Sequence, residues 1–243
     1  MTMIIDTLLA SLTQDAQVRS VLVGAHWTAV CSRGCGLAST LLGDKPHGHE
    51  AVRQVGNLHR MTARELAEYA RSDNLLEASI GVAAINSLHE VDPSQAVEIN
   101  ASEVLVKLGR DKNIALVGHF PFIPKLREVA SQLWVIEQRP SPGEYPAEAA
   151  RDFIPRADLV AITGTALINH TLDDLLAWCS NASQVMVLGP STPLSALFFD
   201  YGVTLLSGSW ISDEAEVLRT ISQGAIFRQV QGVRLLTFQQ NKR

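Results

Sequence analysis

The sequence predicts an α/β protein: a Rossmann-like parallel-sheet domain preceded by a smaller α+β domain. Three observations carry this. Apolar runs of strand length recur along the second half, each ending in a small-residue turn and then a helical pattern, with a spacing of roughly 25 residues. The turns fall where a parallel strand hands over to its crossover helix, the unit on which open α/β sheets build ligand sites. The first half lacks this alternation, with β-rich runs first and helices after. The joint is read at Gly109-Arg110-Asp111, dividing the chain into residues 1–108 and 109–243.

In chain order, the first seventeen residues (MTMIIDTLLASLTQDAQ) read as an amphipathic helix. They lack a basic n-region and a convincing cleavage site, so no signal peptide is read. VRSVLV (18–23) and WTAVC (27–31) flank a Gly24-Ala25-His26 turn, and Gly34 and Gly36 lead into Leu37–Thr40, an antiparallel meander. Residues 42–57, with GDKPHGHE, read as an exposed loop. Thr62 and Glu65 have capping-box spacing and open a helix to about Arg71. Residues 75–88 (LLEASIGVAAINSL) form a second helix dense in small side chains. Gly81 at its centre costs roughly 1 kcal/mol against Ala, so packing or a ligand must use the missing side chain. A third short helix covers 102–108.

In the second half, KNIALV (112–117) is a strand ending in Gly118-His119-Phe120-Pro121, followed by a helix over 123–131. LWVIE (133–137) ends in a carboxylate. Asp158–Thr171 (DLVAITGTALINHT) holds a strand over 159–162 and the turn Thr163-Gly164-Thr165. Thr171 is then placed to cap a helix with Asp173 and Asp174 in its first turn. QVMVL (184–188) runs into Gly189-Pro190-Ser191-Thr192-Pro193 and a helix over 194–201. A short strand at 203–206 and a helix over 213–223 complete the reading.

Composition narrows the functional classes. The 243 residues are 47% hydrophobic and 19% charged, with net charge −5 and no Lys/Arg cluster. Nucleic acid is therefore not an expected partner. No apolar run approaches the roughly 20 residues of a membrane helix, so no membrane partner is expected either. Cys31, Cys35 and Cys179 are an odd number without a disulfide pattern, which fits a reducing cytoplasm.

Four groups of residues can carry chemistry. Gly118 and Glu137 stand about 20 residues apart, where a dinucleotide or adenosyl domain places its first glycine and its ribose-binding acid. Phe120 and Pro121 make a pyrophosphate approach unfavourable, so a standard NAD site is disfavoured. Thr163, Gly164, Thr165, Asn169 and Thr171 can bind a phosphate, a carboxylate or the polar edge of a heterocycle; the plain alternatives are a helix cap and a self-bonded loop. Gly189, Ser191 and Thr192 can cradle an anion before a helix or simply make a turn. His119 can act as a base, a transient metal ligand or a substrate contact, or be an ordinary loop residue. Neither His47-Gly48-His49-Glu50 nor His26 with Cys31 and Cys35 has zinc-site spacing, and Cys31 reads as core, so no permanent structural metal is expected.

VGHFP (117–121), Glu137 with its proline-rich loop, DLVAITGTALINHT (158–171), LGPSTPL (188–194), GLAST (36–40) and ASIGVAAINS (78–87) together resemble the bacterial and archaeal heavy-metal chelation domain family, over nearly the whole chain. The resemblance implies an enolase N-terminal-like domain before the Rossmann-like one. It also turns the 78–87 helix toward a cleft between the domains, which would bring Asn86 to the ligand. Family members often carry Gly-Asp after the second strand; here Gly143 is followed by Glu144, a carboxylate with one more methylene.

The expected ligand is a small molecule or metal chelate, and the resemblance implies a role in heavy-metal chelation or chelator synthesis. An S-adenosylmethionine-like, nucleotide-like or pterin-like cofactor near Glu137 would make the chain a transferase-like enzyme. A non-catalytic chelate-binding or assembly protein is the rival, and a homo-oligomer is compatible with either. Catalysis is left open, because spacing alone assembles no nucleophile–base pair.

Overall fold

The computed structural model describes residues 3–43, 51–96, 98, 100–182 and 184–240. They form a mixed α/β fold with a three-stranded antiparallel sheet and a seven-stranded, mostly parallel one. The loop carrying His47, His49 and Glu50 lies outside the described residues.

Helix α1 (Ile4–Ser11) is shorter than the sequence suggests and buries Ile4, Ile5, Leu8 and Leu9. Strands β1 (Ser20–Val23), β2 (Trp27–Cys31) and β3 (Cys35–Ser39) form the expected meander in the order β1-β2-β3. Cys31 is not an isolated core residue. It lies opposite Cys35 in the β2–β3 register and is joined to it by a disulfide. A reading by spacing missed the pair because the partners sit across a tight hairpin.

The Thr62–Glu65 capping box opens α2 (Ala63–Ala67), whose last turn continues as a 3-10 turn over Glu68–Arg71. Helix α3 (Leu75–Leu88) starts at Asn74, whose side chain accepts from the N–H groups of Leu76 and Glu77. It is buried almost all round, with the meander on one side and the 68–71 turn on another. Two glycines permit this. A Cβ on Gly81 would overlap the backbone of Ala70, and a Cβ on Gly36 of β3 would overlap Ala83 O. The missing side chain of Gly81 is thus used by packing.

Helix α4 (Ala101–Leu108) buries Ala101 and Leu105 against Ile114, Leu116 and Leu126 of the large sheet's layer. Although grouped by sequence with residues 1–108, it packs with the second half. The large sheet has the order β10-β9-β8-β7-β4-β5-β6. Its strands are β4 (Asn113–Val117), β5 (Gln132–Glu137), β6 (Tyr145–Pro146), β7 (Leu159–Thr163), β8 (Gln184–Leu188), β9 (Leu205–Ile211) and β10 (Val233–Gln239). All pairings are parallel except β9–β10. Helix α5 (Ile123–Val129) covers one face; α6 (Ala150–Phe153), α7 (Thr165–Ile168) and α8 (Leu172–Ala177) pack on the other, and α9 (Glu214–Ser222) sits against the meander.

The structure departs from the sequence reading in further places, including β6 and α6 in the stretch read only as a proline-rich loop. The 203–206 strand is longer and shifted, β10 was not read at all, and residues 196–201 form a 3-10 turn. Helix α7 begins directly after Gly164, where a loop was expected. Among the described residues, no helix is long and apolar enough to cross a membrane.

Candidate functional site

From β4 the chain moves outward through β5 to β6, then returns to place β7 on the other side of β4. The winding direction reverses between β4 and β7. In an open α/β sheet, ligands bind beyond the carboxyl ends of the strands at such a reversal. Gly118 follows β4, Glu137 ends β5, Thr163 ends β7 and Gly189 follows β8, so topology alone gathers these residues on one sheet edge.

A cavity of about 130 Å³ opens there. Its sheet side is Val117, Gly118, Ile136 and Glu137; its helical side is Ala147, Ala150, Leu175 and Trp178. Gln138, Asn169, Thr171 and Asp174 supply polar groups. Gly118 adopts φ +113°, and its N–H donates to Ile136 O at 3.0 Å, tying the end of β4 to β5. Glu137 Oε2 accepts from the N–H of Gln138 at 3.0 Å. Oε1 has no protein partner among the described residues and remains able to accept from a ligand.

Thr171 does not cap α8. Its hydroxyl donates to Asn169 Oδ1 at 2.8 Å instead, fixing the Asn169 amide at the cavity wall. An N-cap needs extended backbone, and Thr171 has φ −98° and ψ −8° because α7 ends only three residues earlier.

The other expected residues are placed differently. The Thr163 and Thr165 hydroxyls bond each other at 2.9 Å, and Thr163 packs against Gly118, where an added Cβ would stand 2.9 Å from its own Cβ. The β4 and β7 loops are thus neighbours, with packed contact between them. Gly164 abuts Thr192, whose Oγ1 would lie 2.5 Å from a Cβ there. Ser191 is buried and accepts from Ser39 N–H at 2.8 Å, while Asn86 Nδ2 donates to Leu37 O at 2.9 Å. Asn86, Ser191 and Thr192 therefore sit in the seam joining β3 and α3 to the large sheet, away from the lining of this cavity. Thr192 Oγ1 and Asn86 Oδ1 are buried there without a partner among the described residues.

His119 is exposed, and its Nδ1 pairs with Glu144 Oε1 at 2.6 Å. The Ser141 N–H, and then His119, hold the Glu144 carboxyl below its usual range against the opposing effect of burial. The longer Glu144 side chain thus spans from the β5–β6 loop to the β4 loop. Phe120 stacks on Phe122 with ring centroids 5.0 Å apart, and its ring edge lies beside Gly118. Among the described residues, no group of three or more His, Cys, Asp or Glu side chains gathers as a metal site.

Sequence reasoning missed the helical wall. Trp178 follows α8 and stands four residues beyond Asp174, so both line the cavity at one-turn spacing. That spacing was legible, but which face of α8 met the strand ends was not.

Family comparisons agree with this architecture. The DUF364 model, described as "Putative heavy-metal chelation", matches residues 100–238, and the DUF4213 model, with the same description, matches residues 5–89. The chain therefore belongs to the DUF364 family. An uncharacterised protein of Methanocaldococcus jannaschii is 30% identical over 193 residues, 76% of this chain and 73% of that protein. A solved DUF364 protein of unknown function from Desulfitobacterium hafniense superposes with a TM-score of 0.85 at 26% identity, covering 98% of each chain. A second, from Pyrococcus horikoshii, gives 0.82 at 21% identity, covering 97% of this chain and 98% of the other.

Proposed function

We propose that this protein is a cytoplasmic small-molecule-binding protein serving heavy-metal chelation, and that its ligand is an organic chelator, its metal complex or a precursor. The observation that carries the reading is the pairing of Gly118 and Glu137 over one cavity at the reversal point. The glycine lets a ligand approach the backbone, and the free carboxylate oxygen can accept from a ligand hydroxyl or amine. The Asn169 amide adds a second polar contact, and Trp178 and Leu175 give an apolar surface for a ring. Ligand pockets usually span roughly 300–1,000 Å³, so a 130 Å³ cavity takes one ring or sugar of a larger molecule.

The second reading is a transferase-like enzyme with an S-adenosylmethionine-like, nucleotide-like or pterin-like cofactor. The same glycine–carboxylate pair favours it, since that pair suits a ribose.

Thermal-shift titration with S-adenosylmethionine, nucleosides and pterins tests both readings. A true ligand raises Tm with concentration by mass action. Glu137→Ala should weaken it about 10- to 100-fold, the effect of losing a hydrogen bond to a charged group worth roughly 1.5–3 kcal/mol. A ligand that stabilises the wild type and Glu137→Ala equally would place binding elsewhere.

A further inference from the structure

We propose that Cys31 and Cys35 form a redox-gated pair which, when reduced, captures one soft metal ion of the divalent mercury class between two thiolates. This site is separate from the Glu137 cavity and does not depend on it.

The two cysteines are direct partners across the β2–β3 hairpin, with Cα atoms 4.0 Å apart. Residues directly opposite on an antiparallel pair project from the same face, so both sulfurs lie together. The hairpin does not need the sulfur bond. Ser32 N–H donates to Gly34 O, Gly34 N–H to Ser87 O and Arg19 N–H to Cys31 O. The Ser32 and Ser87 hydroxyls are 2.6 Å apart, which fastens the turn to α3. A cross-link closing so short a loop also removes less chain entropy than a long one. Structural support thus leaves the pair largely unexplained.

Its surroundings select the ion. Cys35 packs against the apolar group of Ala29, Leu37, Val217 and Ile221. A divalent ion between two thiolates is neutral overall, so this setting does not penalise it as it would a net charge. Among the described residues no His, Asp or Glu joins the pair as a third donor. Zinc, which takes four ligands in structural sites, is therefore poorly served, whereas a soft ion satisfied by two sulfurs is well served. Cys31 is fully buried and Cys35 half-buried, so entry is from the Cys35 side.

Both steps balance. A thiol reductant of the glutathione class supplies two electrons and two protons, leaving as its own disulfide and giving two cysteine thiols. Capture then forms two sulfur–metal bonds and releases two protons. The third cysteine lies apart from the pair: Cys179 is buried in the main core, and its thiol donates to Leu175 O at 3.2 Å.

The test uses the full chain, reduced, freed of reductant without air and given one equivalent of Hg²⁺. Native mass spectrometry should show one ion bound with loss of two protons. Against excess monothiol, wild type should retain the ion roughly 100-fold better than Cys35→Ser, the advantage of closing a second bond intramolecularly. Cys179→Ser and Glu137→Ala should behave as wild type, so a failure at the cavity is told apart from a failure here. The oxidised wild type should take up no ion, a comparison that stands even if Cys35→Ser folds poorly. Equal retention by Cys35→Ser, uptake by the oxidised chain, or no uptake by the reduced chain would each overturn the proposal.

Discussion

Glu77 shows how far one buried charge depends on its neighbours. Its side chain is 3% exposed at the start of α3, yet it accepts from Arg53 N–H and Nε and from the Ser72 hydroxyl. Arg53 also lies over the Tyr69 ring at 4.4 Å. Burial alone would raise the Glu77 pKa, but the bonds from Arg53 and Ser72 outweigh it and hold the carboxyl below its usual value. A carboxyl lowered in the folded state contributes stability above its unfolded pKa of about 4.3, and loses it as pH falls through the folded value. Glu77→Gln should therefore destabilise by about 1–3 kcal/mol at neutral pH. Its gap from wild type, read from urea midpoints, should narrow below about pH 4. A gap that stays constant with pH would show that ionisation of Glu77 adds nothing. The sequence displayed Glu77 on a small-residue helix, but its partner Arg53 comes from a stretch read only as loop, so the pair was invisible before folding.

At the scale of elements, α3 was legible to the residue, because its apolar and small residues form one unbroken run. What it packs against was not. In an isolated exposed helix Gly81→Ala would add roughly 1 kcal/mol of helix stability. Here the new Cβ meets the Ala70 backbone, which cannot rotate away. The substitution should destabilise by about 1–3 kcal/mol, the range for overpacking a filled core. A midpoint in urea at or above wild type would show that the 68–71 turn yields freely. Strand β10 was missed for a different reason. The sequence is read as strand, turn, helix, and VRLLTFQ departs from that unit by adding antiparallel to β9. Thr171 does not cap α8 because the short helix α7 ends just before it and sets the backbone leading into α8.

At the scale of the molecule, Ile4, Leu8, Leu66, Ile80 and Ile85 share one apolar core with Ile162, Leu167, Leu172 and Phe198. Polar ties cross the same boundary: Ile4 N–H to Asp173, the Thr7 hydroxyl with Tyr201, and His170 with Ser72 O. A division into two domains, with the joint moved ahead of α4 by that helix's packing, predicts a cut by a broad-specificity protease between about residues 90 and 100, since exposed connections are the preferred nicking sites. The nicked halves should elute together, because each leaves part of the common core exposed alone; separate elution would contradict the shared core. The sequence by itself determined the α/β class, the meander, most strands of the large sheet and the positions of Gly118 and Glu137. Those signals are local: apolar runs, turn residues and the spacing of a strand end from the next. Only the tertiary structure decided that Trp178 joins Asn169 in lining the cavity, that Ser191, Thr192 and Asn86 gather where β3 and α3 meet the large sheet, and that Cys31 faces Cys35. Those outcomes depend on which faces meet, and facing is set by packing between segments far apart in the chain.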